Sequence, residues 1–118
     1  NSKEFKHLPK SSHKLDLTVD DYKLIGTYLM MFVLDAEATT LEEALLLTII
    51  HDIALNIEQK YVMYNATKNP KDLVKLKLSR VQIVAVLIAL AKNKKIDPDP
   101  YLNVLIIGII DDLHSLMI

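Results

Sequence analysis

The chain has 118 residues, 51% of them apolar, and 14 Lys and Arg against 15 Asp and Glu, for a net charge of −1. That is enough chain for one domain with a real core and too little for two; with only two Gly and four Pro, a disordered tail is excluded. The absence of Cys excludes a disulfide frame, a thiolate metal site and a Cys nucleophile, and the near-neutral charge removes any global argument for nucleic acid or an anionic membrane.

Mean hydropathy is +0.21, yet the longest unbroken apolar run, Ile83 to Ala91, is nine residues, where a spanning helix needs roughly twenty. No membrane association is expected. The first residues, Asn1 to Lys14, are polar and basic and do not read as a signal peptide. The expected compartment is therefore the cytoplasm. Thirteen of the fourteen basic residues are Lys, which suits the AT-rich genome of a bacterium or a phage.

In chain order, residues 1–14 read as an irregular basic arm carrying Lys3, Lys6, Lys10 and Lys14. Thr18 then reads as an N-cap, with Asp20 and Asp21 placed against the helix dipole. Tyr22, Ile25, Leu29 and Phe32 follow at helical spacing, predicting a first helix over about 18–35. Thr40-Leu41-Glu42-Glu43 is a capping box and opens a second helix that meets no breaker before Asn65 to Pro70. Its apolar stripe is Leu46, Ile49, Ile50, Ile53, Ile57, Tyr61 and Tyr64; its polar stripe is Thr48, Asp52, Asn56 and Gln59.

Asn69-Pro70 starts a basic connector whose end, Lys75-Leu76-Lys77-Leu78, alternates like a short extended segment. Ser79-Arg80-Val81-Gln82 is a further capping box and predicts a third helix over about 80–93. Asp97-Pro98-Asp99-Pro100 offers two cap-plus-Pro starts for a fourth helix, because Pro at the first helical position loses no hydrogen bond. The expected class is all-α: two αα-hairpins (15–66 and 79–118), joined by the connector 67–78, packed as one four-helix domain over 15–118.

The two halves also echo each other. Lys14-Leu15-Asp16-Leu17-Thr18 returns as Lys75-Leu76-Lys77-Leu78-Ser79 at an offset of 61, and Leu45–Ile53 returns as Leu105–Leu113 at an offset of 60. An internal repeat of the helical hairpin is expected on that pattern.

Two features do not suit a closed monomer. The third and fourth helices are apolar nearly all round, and such helices must be buried on most sides. The last turns of the long second helix also overhang their hairpin. A homo-oligomer or a protein partner is expected to cover Tyr61, Met63, Tyr64, Leu87, Ile106 and Ile110. The single Gly26 and Gly108 inside helices read as marks of close helix crossings, since a helical Gly costs about 1 kcal/mol relative to Ala.

His51-Asp52, within Leu47-Thr48-Ile49-Ile50-His51-Asp52-Ile53, resembles the doublet of the HD-domain phosphohydrolases. That resemblance implies a helical metal-dependent hydrolase with ligands from His13, His51, Asp52 and either Asp111 or Asp112, suited to Mn, Fe or Zn. The sequence departs from the family at Ala54-Leu55, where a Gly and a polar or basic residue are usual. The competing account is that His51-Asp52 and Asp111-Asp112 occupy equivalent repeat positions, where each helix turns its polar edge to water. Asp111, His114 and Ser115 are neighbours on a helix surface for the same geometric reason.

The arm, the connector (Lys68, Lys71, Lys75, Lys77, Arg80) and the second hairpin loop (Lys92, Lys94, Lys95) gather the basic residues. Arm and connector are expected to share one end, with Lys71, Lys75, Lys77 and Arg80 as an anion-binding candidate. A single Arg is too few for the bidentate contacts that usually read bases. The expected function is a non-enzymatic structural, adaptor or regulatory protein acting through protein contacts, with no cofactor and no small-molecule substrate. The metal-dependent phosphohydrolase and a nucleic-acid-binding accessory protein are the two alternatives.

Overall fold

The computed structural model describes residues 12–92 and 99–116. Along them run β1 (His13–Thr18), α1 (Val19–Asp35), α2 (Leu41–Thr67), β2 (Leu73–Leu78), α3 (Arg80–Lys92) and α4 (Pro100–His114). The fold is mostly helical, and the expectation of a purely α class is corrected by one two-stranded sheet, β1–β2. The end of the expected irregular arm is corrected with it. His13 and Lys14 open β1, and residues 1–11 lie outside the described residues.

The helix starts follow from local chemistry. The Thr18 hydroxyl accepts from the Asp21 amide at 3.1 Å, and the Thr40 hydroxyl accepts from the Glu43 amide at 3.1 Å. The Glu43 carboxylate in turn takes the Thr39 and Thr40 hydroxyls at 2.9 and 3.1 Å. Ser79 and Gln82 cap α3 reciprocally: the Gln82 amide donates to the Ser79 hydroxyl (3.3 Å), and the Ser79 amide to the Gln82 side-chain oxygen (2.9 Å). Asp99 accepts from the Tyr101 amide at 3.0 Å, with Pro100 at the first helical position. The contacts made by the Asp21, Glu43, Ser79, Gln82 and Tyr101 amides each satisfy a donor that a helix start leaves without a partner.

Cross-strand contacts set the direction of the sheet. Asp16 meets Lys75, and just past the strand ends the Val19 amide donates to the Asp72 carbonyl at 3.0 Å and the Asp20 amide to the Pro70 carbonyl at 3.1 Å. Numbers rise along one strand as they fall along the other, so the pair is antiparallel, with Lys14 opposite Lys77. Alternation does the rest: Leu15, Leu17, Val74, Leu76 and Leu78 are buried, while Lys14, Asp16, Lys75 and Lys77 face water. A two-stranded ribbon is marginal alone. Burying one aliphatic face, at roughly 1.5–3 kcal/mol for each side chain, is what holds it.

The chain divides into two compact units, Leu15–Leu76 and Asn1–Lys14 with Lys77–Ile118. In the first, α1 and α2 form an antiparallel hairpin with Tyr22, Ile25, Leu29, Ile50, Ile53 and Ile57 at its core. The Tyr22 and Tyr64 rings meet edge-on at 5.4 Å and 76°, a favoured aromatic geometry. The expected stripes of α2 are both present: Thr48, Asp52, Asn56 and Gln59 are exposed, and none of its seven expected apolar residues is. In the second unit α3 and α4 contact each other, and Ile83, Val86, Leu87, Leu90, Leu102, Ile106, Ile109 and Leu113 are buried.

Candidate interaction surfaces

The α1–α2 hairpin carries a groove of ≈360 Å³. Lys23, Gly26, Thr27, Met30, Met31 and Leu34 recur every three or four residues on α1 and so share one face; Ala54, Ile57, Glu58 and Tyr61 do the same on α2. Gly26 marks the place where the helices touch. A Cβ built on it would fall on the Ile57 Cγ2 and lie 3.2 Å from the Ile57 Cβ. The floor is therefore small and apolar, and Met31 and Leu34, 49% and 74% exposed, stand at its rim. At the other end the Lys23 Nζ sits 5.1 Å from the Tyr61 ring centroid, a cation–π distance. The Tyr61 hydroxyl donates to the Asn65 side-chain oxygen at 3.3 Å. Behind this end, burial, with a smaller contribution from Tyr64, pushes the Tyr22 hydroxyl up to about 12.

The residues expected to meet a partner separate into two sets. Leu87 and Ile106 are buried within the chain, so neither offers a free surface, and Ile110 is half-buried. Tyr61 and Tyr64 are half-buried against Lys23 and Tyr22, while Met63 is exposed beside Val62. Tyr101, Val104 and Ile107 are the exposed large apolar side chains of α4 among the described residues, at 56%, 70% and 58% exposure. The close-crossing reading holds for Gly26 and not for Gly108, where an added Cβ would meet nothing within 4 Å.

Lys71, Lys75, Lys77 and Arg80 are all exposed. Lys75 and Lys77 share the outward face of β2, and the strand pairing brings Lys14 beside Lys77; Lys3, Lys6 and Lys10 of the arm lie outside the described residues. Asp16 neutralises part of this face through its 2.5 Å ion pair with Lys75. The first turn of α3 holds Arg80 and no acid, whereas that of α1 holds Asp20 and Asp21. Of the second loop's lysines, Lys92 is described and exposed; Lys94 and Lys95 lie outside the described residues.

The residues of the phosphohydrolase pattern are placed as follows. His13 pairs with Asp112 at 3.1 Å, on β1 and α4. His51 and Asp52 stand on the outer side of α2, with 47% and 72% of their side chains exposed and 3.8 Å between them. Among the described residues no three His, Asp or Glu side chains gather as a metal site. No protein family, curated protein or solved structure matches the chain. What the surfaces do must be read from their own geometry. Sequence periodicity passed over the groove, although Gly26, singled out as a close crossing, lies on its floor.

Proposed function

We propose that this chain is a small structural, adaptor or regulatory component that works through protein–protein contacts and self-associates through the outward face of α4. The supporting observation is that α4 is apolar on both sides. Leu102, Ile106, Ile109 and Leu113 point inward, and Tyr101, Val104 and Ile107 point into water over two turns. A helix of that kind is normally covered on both faces. Gly108 adds to the argument: a helical Gly costs about 1 kcal/mol relative to Ala, and none of the described residues requires the space it leaves. The reading includes no catalytic step, cofactor or small-molecule substrate. It places the protein in the cytoplasm of a bacterium or a phage-infected cell, in keeping with its lysine usage and with the finding that no described helix is long and apolar enough to cross a membrane.

Light scattering across a hundredfold concentration range tests it. A dimer or larger assembly is expected, and Val104→Lys with Ile107→Lys should return it to a 13.4 kDa monomer. A wild-type chain that stays monomeric throughout would overturn the reading.

We also read the two strand–helix–helix runs as copies of one unit. At the offset of 61, Leu15/Leu76, Leu17/Leu78, Tyr22/Ile83, Ile25/Val86 and Leu29/Leu90 are buried in both members of each pair. The caps Thr18 and Ser79 also correspond.

The ribbon favours a second reading, nucleic-acid binding. A two-stranded ribbon fits the DNA major groove, and the outward face here carries Lys14, Lys75 and Lys77. If it binds, the logarithm of affinity should fall linearly with the logarithm of salt, and Lys77→Ala should lower the slope by about one. A slope that Lys77→Ala leaves unchanged removes the ribbon from this role. The phosphohydrolase alternative has no gathered ligand set among the described residues to support it.

A further inference from the structure

Within the Leu15–Leu76 unit, the α1–α2 groove has a floor of Gly26, Ala54 and Ile57 and a rim of Met30, Met31 and Leu34. Its ≈360 Å³ lies at the small end of ligand pockets, and Met31 and Leu34 at its rim are exposed. That is an open trough with room for a few side chains, not an enclosed cavity for a small molecule. Two adjacent methionines give the rim an adaptable surface, since the thioether chain fills irregular shapes at little cost.

Charge selects the occupant. Next to Leu34, at one end of the groove, the α1–α2 turn and the first turn of α2 carry Asp35, Glu37, Glu42 and Glu43 and no Lys or Arg. Glu58 lines the groove itself, and the groove's own cation, Lys23, lies over the Tyr61 ring. We infer that the groove docks an amphipathic helix of a partner protein, with apolar anchors at helical spacing and flanking Lys or Arg. Helix-in-groove recognition uses this geometry, and opposite potentials across an interface steer the encounter and reject wrong partners. The same groove of a second copy is disfavoured, because it would bring a second Glu58 and a second acidic turn to the interface. The inference goes beyond self-association through α4 and does not depend on it.

The test uses the full chain and a model peptide of roughly 18 residues in which Leu and Lys alternate at helical period. A Leu/Glu peptide of the same pattern and a scrambled Leu/Lys peptide serve as controls. Calorimetric titration is expected to show the patterned Leu/Lys peptide binding at least tenfold tighter than either control. Its amide shifts should be confined to Gly26–Leu34 and 54–61. Leu34→Ser should weaken binding several-fold, Glu58→Lys tenfold or more, and Val104→Lys should leave it unchanged. Both groove positions are exposed, and circular dichroism checks that each variant is folded. Comparable binding by a control, shifts centred on another element, or no saturable binding overturns the inference. So does a dilution-dependent shift of the groove amides without peptide, which would mean that a second copy fills it. Loss of assembly with intact peptide binding would refute the α4 reading alone.

Discussion

Gly26→Ala tests the hairpin packing most directly, because two opposing effects of known size meet at one atom. Ala is better than Gly in a helix interior by about 1 kcal/mol, so the substitution alone should stabilise α1. At this site, however, the new methyl would fall on the Ile57 Cγ2. Ile57 is 1% exposed, and a β-branched side chain in a helix holds one strongly preferred rotamer, so it cannot swing aside. Overpacking of this kind typically costs about 1–3 kcal/mol. The net expectation is a loss of up to about 2 kcal/mol. Gly108→Ala is the internal control: it gains the same helix propensity with nothing within 4 Å. The difference between the two variants therefore isolates the clash at about 1–3 kcal/mol. Urea unfolding followed by circular dichroism reads this as a lower midpoint at unchanged slope for Gly26→Ala and a higher one for Gly108→Ala. In the Ile57→Ala background the methyl has room, and the Gly26→Ala penalty should disappear. If Gly26→Ala stabilises the chain as much as Gly108→Ala does, the helices do not cross where we place the contact.

Gly108→Ala should also weaken self-association while stabilising the fold, because the methyl intrudes on the face proposed to meet a second copy; light scattering beside the urea curve separates the two effects, and unchanged assembly would remove Gly108 from that interface. The raised Tyr22 pKa, about 12 against an unfolded value of about 10, gives a pH prediction with a defined sign. Between pH 10 and 12 the unfolded chain loses the phenolic proton and the folded chain keeps it, so stability is full below pH 10 and falls as pH rises through that window. Tyr22→Phe should make the fall shallower; parallel curves would show that the phenol is not the group responsible. Asp52→Ala and His51→Ala, at exposed positions, should each change stability by only a few tenths of a kcal/mol. Stoichiometric Mn, Fe or Zn lost from both variants would instead revive the metal reading.

The helices were legible because each start has its own chemistry. Thr18, Thr40, Ser79 and Asp99 all cap as their surroundings suggest, and the α2 stripes follow from its period. The sheet was half legible. Lys75–Leu78 alternates, and it is a strand. Lys14–Thr18 alternates in the same way, but its partner strand lies some sixty residues away with no hairpin turn between them. The strongest local strand signal is a short turn flanked by alternation, and β1 and β2 lack one. Along the sequence their shared pattern reads as a repeat, and the pairing of the two strands becomes visible only in the fold.

The surfaces were harder to read for a different reason. Periodicity identifies a buried face by contrast with a polar one, and in α4 that contrast is missing. With Leu102, Val104, Leu105, Ile106, Ile107, Ile109 and Ile110 all apolar, every angular choice of inner face satisfies the pattern. Packing breaks the tie, burying Ile106 and leaving Val104 and Ile107 outside. A sequence can thus announce that such a helix has a surplus apolar face without saying which residues form it. The groove lies beyond periodicity altogether, because it belongs to neither helix. It arises where Gly26 and Ala54 let α1 and α2 approach while Met31 and Leu34 stand clear. Gly26 is the one part of it that the sequence could flag, since a helical glycine gives up about 1 kcal/mol relative to Ala and so marks a place to look for a close neighbour.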